Sequence, residues 1–324
     1  MVFEEFVKEF KSEKYECFFN FNRFFDKHFS CKVPQCIMPL IITNDFKQIF
    51  NETKDIILVN FYKNSSFNII ETFLRDRIEK IVKIFETDVN DLNPHIEAQI
   101  IYLLNLSQSS LSFEDFSTCF ENIDTIKIVE YENADLEALF VKIKTNKVIF
   151  DALDSTINEL TEDNLTLDDL TQIKLSFFES KISFLNGFAG MQKVYVSLSR
   201  LNELSKMTNQ IYDRKNLVLR LFFVRLMINL LTHVVLRDKK NDFNLSSAFF
   251  SYENLLEAGV MTEGRIFEGK IDFFQGLSRL NFEFLIKFYD ELIEKNLEIV
   301  RFDLRKSKCS VMIKKPNFMA IDMD

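Results

Sequence analysis

The residues best suited to chemistry lie between positions 301 and 315, where the chain reads RFDLRKSKCSVMIKK. Arg301, Arg305, Lys306, Lys308, Lys314 and Lys315 stand there against one acid, Asp303, in a chain whose net charge is −9. Clustered cations on an otherwise acidic chain suit phosphate oxygens, and such contacts position a nucleic acid without reading its sequence. The same lysines suit a second role, keeping an exposed hairpin edge from pairing with another chain. Both readings stay open on composition alone.

Other reactive types are scattered. Cys17, His28, Cys31 and Cys36 offer zinc-ligating atoms, but they lack the tight cysteine pairs of structural zinc sites. With Cys119 and Cys309 they make five cysteines in no disulfide framework. The charged opening MVFEEFVKEFKSEKYE has no apolar signal core, so free thiols in a reducing, intracellular compartment are expected. No glycine precedes Gly187. Phosphate-cradling loops need glycine for close backbone approach, so neither a P-loop nor a dinucleotide fingerprint can form before that point. Lys47 then reads as a surface lysine. His28, His95 and His233 do not cluster in the sequence, and Glu162, Asp163, Asp168 and Asp169 fit a solvated helix start. No catalytic, cofactor-binding or metal-binding residue is expected.

The elements that must carry these residues follow from periodicity. Short apolar runs at 37–42, 55–61, 81–85 and 125–130 read as strands, separated by helical patterns at 44–52, 67–80 and 95–107. Alternation of this kind implies a parallel sheet. From 132 to 210 the segments ADLEALFVKI, TLDDLTQIKLSFFES and VYVSLSRLNELSKM read as helices, with Gly187 and Gly190 in a turn between them. Residues 217–236 are long and apolar enough to span a bilayer, yet Arg220, Arg225, Asn229 and His233 draw a narrow polar stripe along them. A buried helix of a globular domain is expected. A helix at 245–257 ending near Gly259, a loop-rich stretch at 259–279, a helix at 281–296 and strands at 298–304 and 309–315 follow, the order of a winged helix. The 37 phenylalanines are read as core volume.

The layout resembles origin recognition complex subunits and their AAA+ relatives. IVKIFETDVNDLN and the following HIEAQIIYLLNLSQSS resemble the second acidic strand and next helix of subunit 4. DFNLSSAFFSYENLL resembles the second winged-helix helix, and NFEFLIKFYDELIEKNLEIVRFDLRKSKCSVMI is similar to the third helix plus wing, with subunit 3 an equal match. The family's ATP-binding lysine and glycines have no counterpart, and its acidic pair is replaced by Glu86-Thr87-Asp88, so the resemblance implies a degenerate nucleotide site.

The expectation is an α/β plus all-α chain, predominantly helical. It comprises a degenerate AAA+-like α/β domain with an N-terminal helical segment over 1–131, a helical lid over 132–215 and a winged helix over 216–324. The resemblance implies a nuclear, non-catalytic subunit of a replication-initiation complex. It would bind no cofactor and no membrane, pack against other subunits and touch duplex DNA through Arg301, Arg305, Lys306, Lys308, Lys314 and Lys315. The alternative is a scaffold of a cullin-like or proteasome-lid-like assembly. Glu283, Asp290, Glu291 and Glu294 make the third helix acidic, which favours docking protein over reading bases.

Overall fold

A computed structural model of the chain describes residues 94–107, 118–119, 122–131, 133–190, 192–208, 215–240, 258–311 and 321–323. The strands expected at 37–42, 55–61 and 81–85, the helices expected before residue 81 and at 245–257, and Lys314 and Lys315 lie outside these residues. The described residues fall into two compact units: 94–107 with 118–119 and 122–124, and the residues from Thr125 onward.

In the first unit, helix α1 spans Pro94–Ser107. Proline suits a first helical position because its ring presets φ and no bond to its missing N–H is lost. Ala98, Ile101, Tyr102 and Asn105 recur at helical spacing and are all buried. The Asn105 amide is satisfied within the helix, donating to the Ile101 carbonyl at 2.7 Å. Burial, and then the neighbouring Cys119, push the Tyr102 hydroxyl well above its ordinary pKa.

The second unit is mostly helical around a mixed sheet. Helices α2 (Ala134–Thr145) and α3 (Lys147–Thr161) meet at Asn146. Asn146 is buried, and its side chain both accepts from the Ile149 N–H, capping α3, and donates to the Leu292 carbonyl. A short helix α4 (Leu167–Thr171) precedes strands β2 (Lys174–Glu179), β3 (Leu185–Ala189) and β4 (Lys193–Ser197), which run into helix α5 (Leu198–Met207). With β1 (Lys127–Val129) and β7 (Ile321–Met323) the sheet order is β1-β2-β4-β3-β7. The β2–β4 pair is parallel, and the other three pairs are antiparallel.

This sheet corrects three expectations. The strand expected at 125–130 is present as β1 but pairs antiparallel with β2, not in a parallel ladder; the other strands of the expected parallel sheet lie outside the described residues. The region expected to be an all-helical lid carries three strands. IKLSFF and VYV are rich in aromatic and β-branched residues, and that preference won over the helical spacing. Gly187 is not in a turn between helices; it sits inside β3. A Cβ there would stand 2.5 Å from the Tyr195 carbonyl oxygen and 3.0 Å from Leu230 Cδ1, so glycine is what lets β3 lie against its neighbours.

Helix α6 (Lys215–Lys240) runs through the core. Every residue from Leu221 to Arg237 is buried. It packs on β3 and β4, on α3, and on helix α7 (Ala258–Phe267). Gly259, expected to end a helix, instead stands in the first turn of α7 as described. A Cβ on it would fall 2.4 Å from Asn229 Nδ2 of α6. Helix α8 (Phe282–Tyr289) continues into a π-helical turn, Asp290–Glu294, close to the expected 281–296. Phe267, Phe284, Phe288 and Phe302 form a cluster of rings 4.9–6.5 Å apart, most of them edge-to-face, as core phenylalanines pack.

Candidate nucleic-acid interface

Over its described residues, 301–311, the basic segment is not built as a hairpin. Residues 298–303 carry no ladder, and Leu304–Ser307 forms a short helix, α9. The signal that sequence reading missed is Asp303. Its side chain caps α9 by accepting from the Lys306 N–H at 2.9 Å, which turns the chain where a strand was expected to continue. That main-chain bond, helped by the Lys306 ammonium at 3.3 Å, holds the Asp303 carboxyl below its usual range. Strand β6 (Ser310–Val311) pairs instead with β5 (Ile271–Asp272), on the far side of α8 in the chain. A helix order followed by a short ladder is present, but the wing expected from 298–304 with 309–315 is not what the described residues form.

The turn is fixed from below. Buried Ser307 accepts from the Asn281 N–H through its carbonyl at 2.9 Å, and its hydroxyl donates to the Leu304 carbonyl at 3.0 Å. The Glu268 carboxylate accepts from the Leu304 N–H at 3.1 Å. Lys308 closes the helix in the left-handed region at φ 57°. Cys309 follows, its thiol pushed up to about 11 chiefly by burial, so it is no reactive thiolate.

On this frame Arg301, Arg305, Lys306 and Lys308 are all exposed. Lys306 is paired with Asp303, whereas Arg301, Arg305 and Lys308 have no carboxylate within ion-pair distance among the described residues. The structure thus brings Arg305, Lys306 and Lys308 together on one capped turn, and sets Arg301 apart on the preceding segment. Three exposed cations on a short capped turn can reach phosphates as point charges. They carry no geometry for reading base edges.

The other polar residues singled out by sequence are absorbed by packing. Asp163 pairs with Lys240 at 3.2 Å and Asp169 with Lys239 at 2.7 Å, so these acids meet the basic end of α6 and are not merely solvated. Asp169 Oδ2 also accepts from the Thr166 N–H and hydroxyl at 2.6 and 2.8 Å. Burial raises its pKa, but the bonds from Lys239 and Thr166 outweigh that and leave it lowered. The stripe on α6 forms a buried polar layer against α7. Arg225 Nη1 lies 3.4 Å from Glu263 Oε2, Asn229 Nδ2 donates to Glu263 Oε1 at 2.9 Å, and Thr232 bonds Thr262 at 2.9 Å. Arg237 donates to the Ala189 carbonyl at 2.6 Å, tying α6 to β3. His233 is buried on the same helix, while Arg220 reaches the rim, 3.8 Å from Asp135. Cys17, His28, Cys31, Cys36, Lys47, Glu86 and Asp88 lie outside the described residues. Among the described residues no three His, Cys, Asp or Glu side chains are grouped to hold a metal ion.

Comparison with known proteins adds no relative: no protein-family profile, no curated protein and no solved structure matches this chain.

Proposed function

We propose that the chain is a non-catalytic subunit of a nuclear, DNA-handling assembly of the origin-recognition kind, which meets duplex phosphates through Arg305, Lys306 and Lys308. One observation carries this reading. The three side chains project from a turn held by four hydrogen bonds, and only one of them is neutralised by a neighbouring acid. Exposed cations on a fixed turn, two of them uncompensated, on a chain of net charge −9 fit phosphate contact within a larger complex, not autonomous nucleic-acid binding.

The test is charge reversal of all three residues to Glu, followed by duplex binding of the assembled complex purified from the native organism. Affinity should fall to a similar degree for all duplex sequences, and the dependence of log affinity on log salt should flatten by about 0.9 per contact removed. Unaltered affinity and slope would sink the phosphate reading. The scaffold reading is favoured by a different observation. Helix α8, which packs on α9, exposes Glu283, an acid that repels DNA and suits protein, while Glu294 in its π turn is taken up by Lys142. Recovery of the chain with subunits that bind no nucleic acid would establish it instead.

A further inference from the structure

The basic turn is strapped down by a connection distant from it in the chain. Helix α7 ends at Phe267, and the chain then runs through Glu268 into β5. Three contacts in succession tie this connection to the basic segment. The Phe267 ring lies 5.6 Å from that of Phe302, the Glu268 carboxylate accepts from the Leu304 N–H at 3.1 Å, and β5 pairs with β6 through Asp272 opposite Ser310 and Ile271 opposite Val311. The Glu268 bond is the one that falls on the turn itself. It satisfies the first N–H of α9, a donor that no bond within the helix can use. Asp303 takes the Lys306 N–H, so two carboxylates from different parts of the chain hold α9 at its start.

Glutamate is a costly residue at position 268. Its backbone lies at φ 59°, in the left-handed region. A β-carbon is disfavoured there, and glycine or asparagine is the usual residue where a helix ends in this way. Glu268 is exposed, so its side chain is not kept for core volume. It also sets a negative charge beside cations that would meet phosphate, and by charge alone that opposes binding. Both costs attach to a side chain that bonds the main chain of the turn. An observed backbone outlier of this kind is where a functional role is to be sought.

We infer that Glu268 is a positioning residue for phosphate contact: its carboxylate, acting as a hydrogen-bond acceptor and not as a charge, holds α9 so that Arg305, Lys306 and Lys308 are presented together. The inference rests on the phosphate reading of this turn and adds the residue that sets the turn in place. The support behind Glu268 reaches the core. On the same helix Glu263 accepts from Asn229 at 2.9 Å and faces Arg225 at 3.4 Å, both on α6. A turn ordered before DNA arrives leaves less ordering to be done on contact.

The test compares Glu268→Gly with Glu268→Gln. Glycine removes the carboxylate and relieves the backbone, whereas glutamine keeps an acceptor oxygen and removes the charge. Amide hydrogen exchange is read on the full chain, with unchanged exchange in α6 as the check on folding, and binding of a mixed-sequence duplex is read on the assembled complex. In Glu268→Gly the Leu304 and Lys306 amides should exchange about fivefold faster and duplex affinity should fall about fivefold, the typical weight of a lost bond at a helix start. In Glu268→Gln both amides should keep their wild-type rates, and affinity should hold or rise because an acid beside the phosphates has gone. Unchanged exchange at Leu304 in Glu268→Gly would overturn the inference. So would a gain of affinity in both variants, or an equal loss in both, since either assigns the effect to charge. Faster exchange with unaltered affinity in Glu268→Gly would overturn it too, and reversal of Arg305, Lys306 and Lys308 to Glu then locates the failure. If that reversal still weakens the complex, Glu268 does not position these cations; if it does not, the phosphate reading itself has failed.

Discussion

At Glu263 a fully buried carboxylate faces a fully buried guanidinium, and the consequences of substitution depend on which partner is left behind. Removing Arg225 strands a charge in the core, whereas removing both charges lets apolar side chains fill the space. Arg225→Met should therefore cost about 3–5 kcal/mol of unfolding free energy, and Arg225→Met with Glu263→Leu should recover most of it. Urea midpoints of the four proteins of this cycle decide the matter; a double variant no better than the single would show that the layer's remaining bonds dominate. Gly259 tests the same layer sterically. The atoms a Cβ there meets first are those of the Asn229 amide, the end of a flexible side chain, so Gly259→Ala should be rescued in part by Asn229→Ala. Gly187→Ala meets the Tyr195 carbonyl, which has no such freedom, and should cost about 1–3 kcal/mol with no single rescuing partner.

Between elements, the tie from α6 to α4 should be sensitive to acid. The Asp169 carboxyl has a lowered pKa in the folded chain, so the native state favours its charged form. That contribution is fully present above the unfolded value near 3.9 and is lost as pH falls through the lower folded value. Lys239→Met removes one cause of the lowering and should make the loss of stability shallower below about pH 4, as seen in urea midpoints measured from neutral pH downward. An unchanged slope would assign the lowering to Thr166 alone. How far such elements could be read from sequence varied with what decided them. Helix α1, helix α2, α6 and α8 were legible because local periodicity and caps such as Pro94 agree with their packing. Strands β2 and β4 were not, because their apolar residues satisfy helical spacing too, and only pairing with each other settles the choice. The basic residues were legible as a charge cluster. Their carrier was misread because Asp303 was counted as a lone acid, although it acts as a helix cap.

Over the whole second unit, the helix α6 poses one physical question: protein core or bilayer. By length and composition residues 216–240 could cross a membrane. The fold gives them another solvent, since 89% of the most apolar window is buried within the protein. The polar stripe decides between the two. In a lone span Arg225 would sit near the bilayer centre at a cost of about 2.5–3.5 kcal/mol, and Asn229 and His233 would add to it. In the fold Arg225 and Asn229 meet Glu263, and Arg237 meets the Ala189 carbonyl, partners that only sequence-distant elements supply. Translation in the presence of microsomes should therefore leave the wild-type chain in the supernatant after an alkaline carbonate wash. The amides of 221–237 should be among the slowest to exchange in the released protein, as expected of a helix that opens only with the whole core. Replacing Arg225, Asn229 and His233 with Leu removes both the cost of insertion and the bonds to α7. That variant should move into the carbonate-resistant fraction or aggregate. A wild-type chain that resists carbonate extraction would mean that the stripe faces protein or water within a membrane, and that α6 is not the core helix its burial describes.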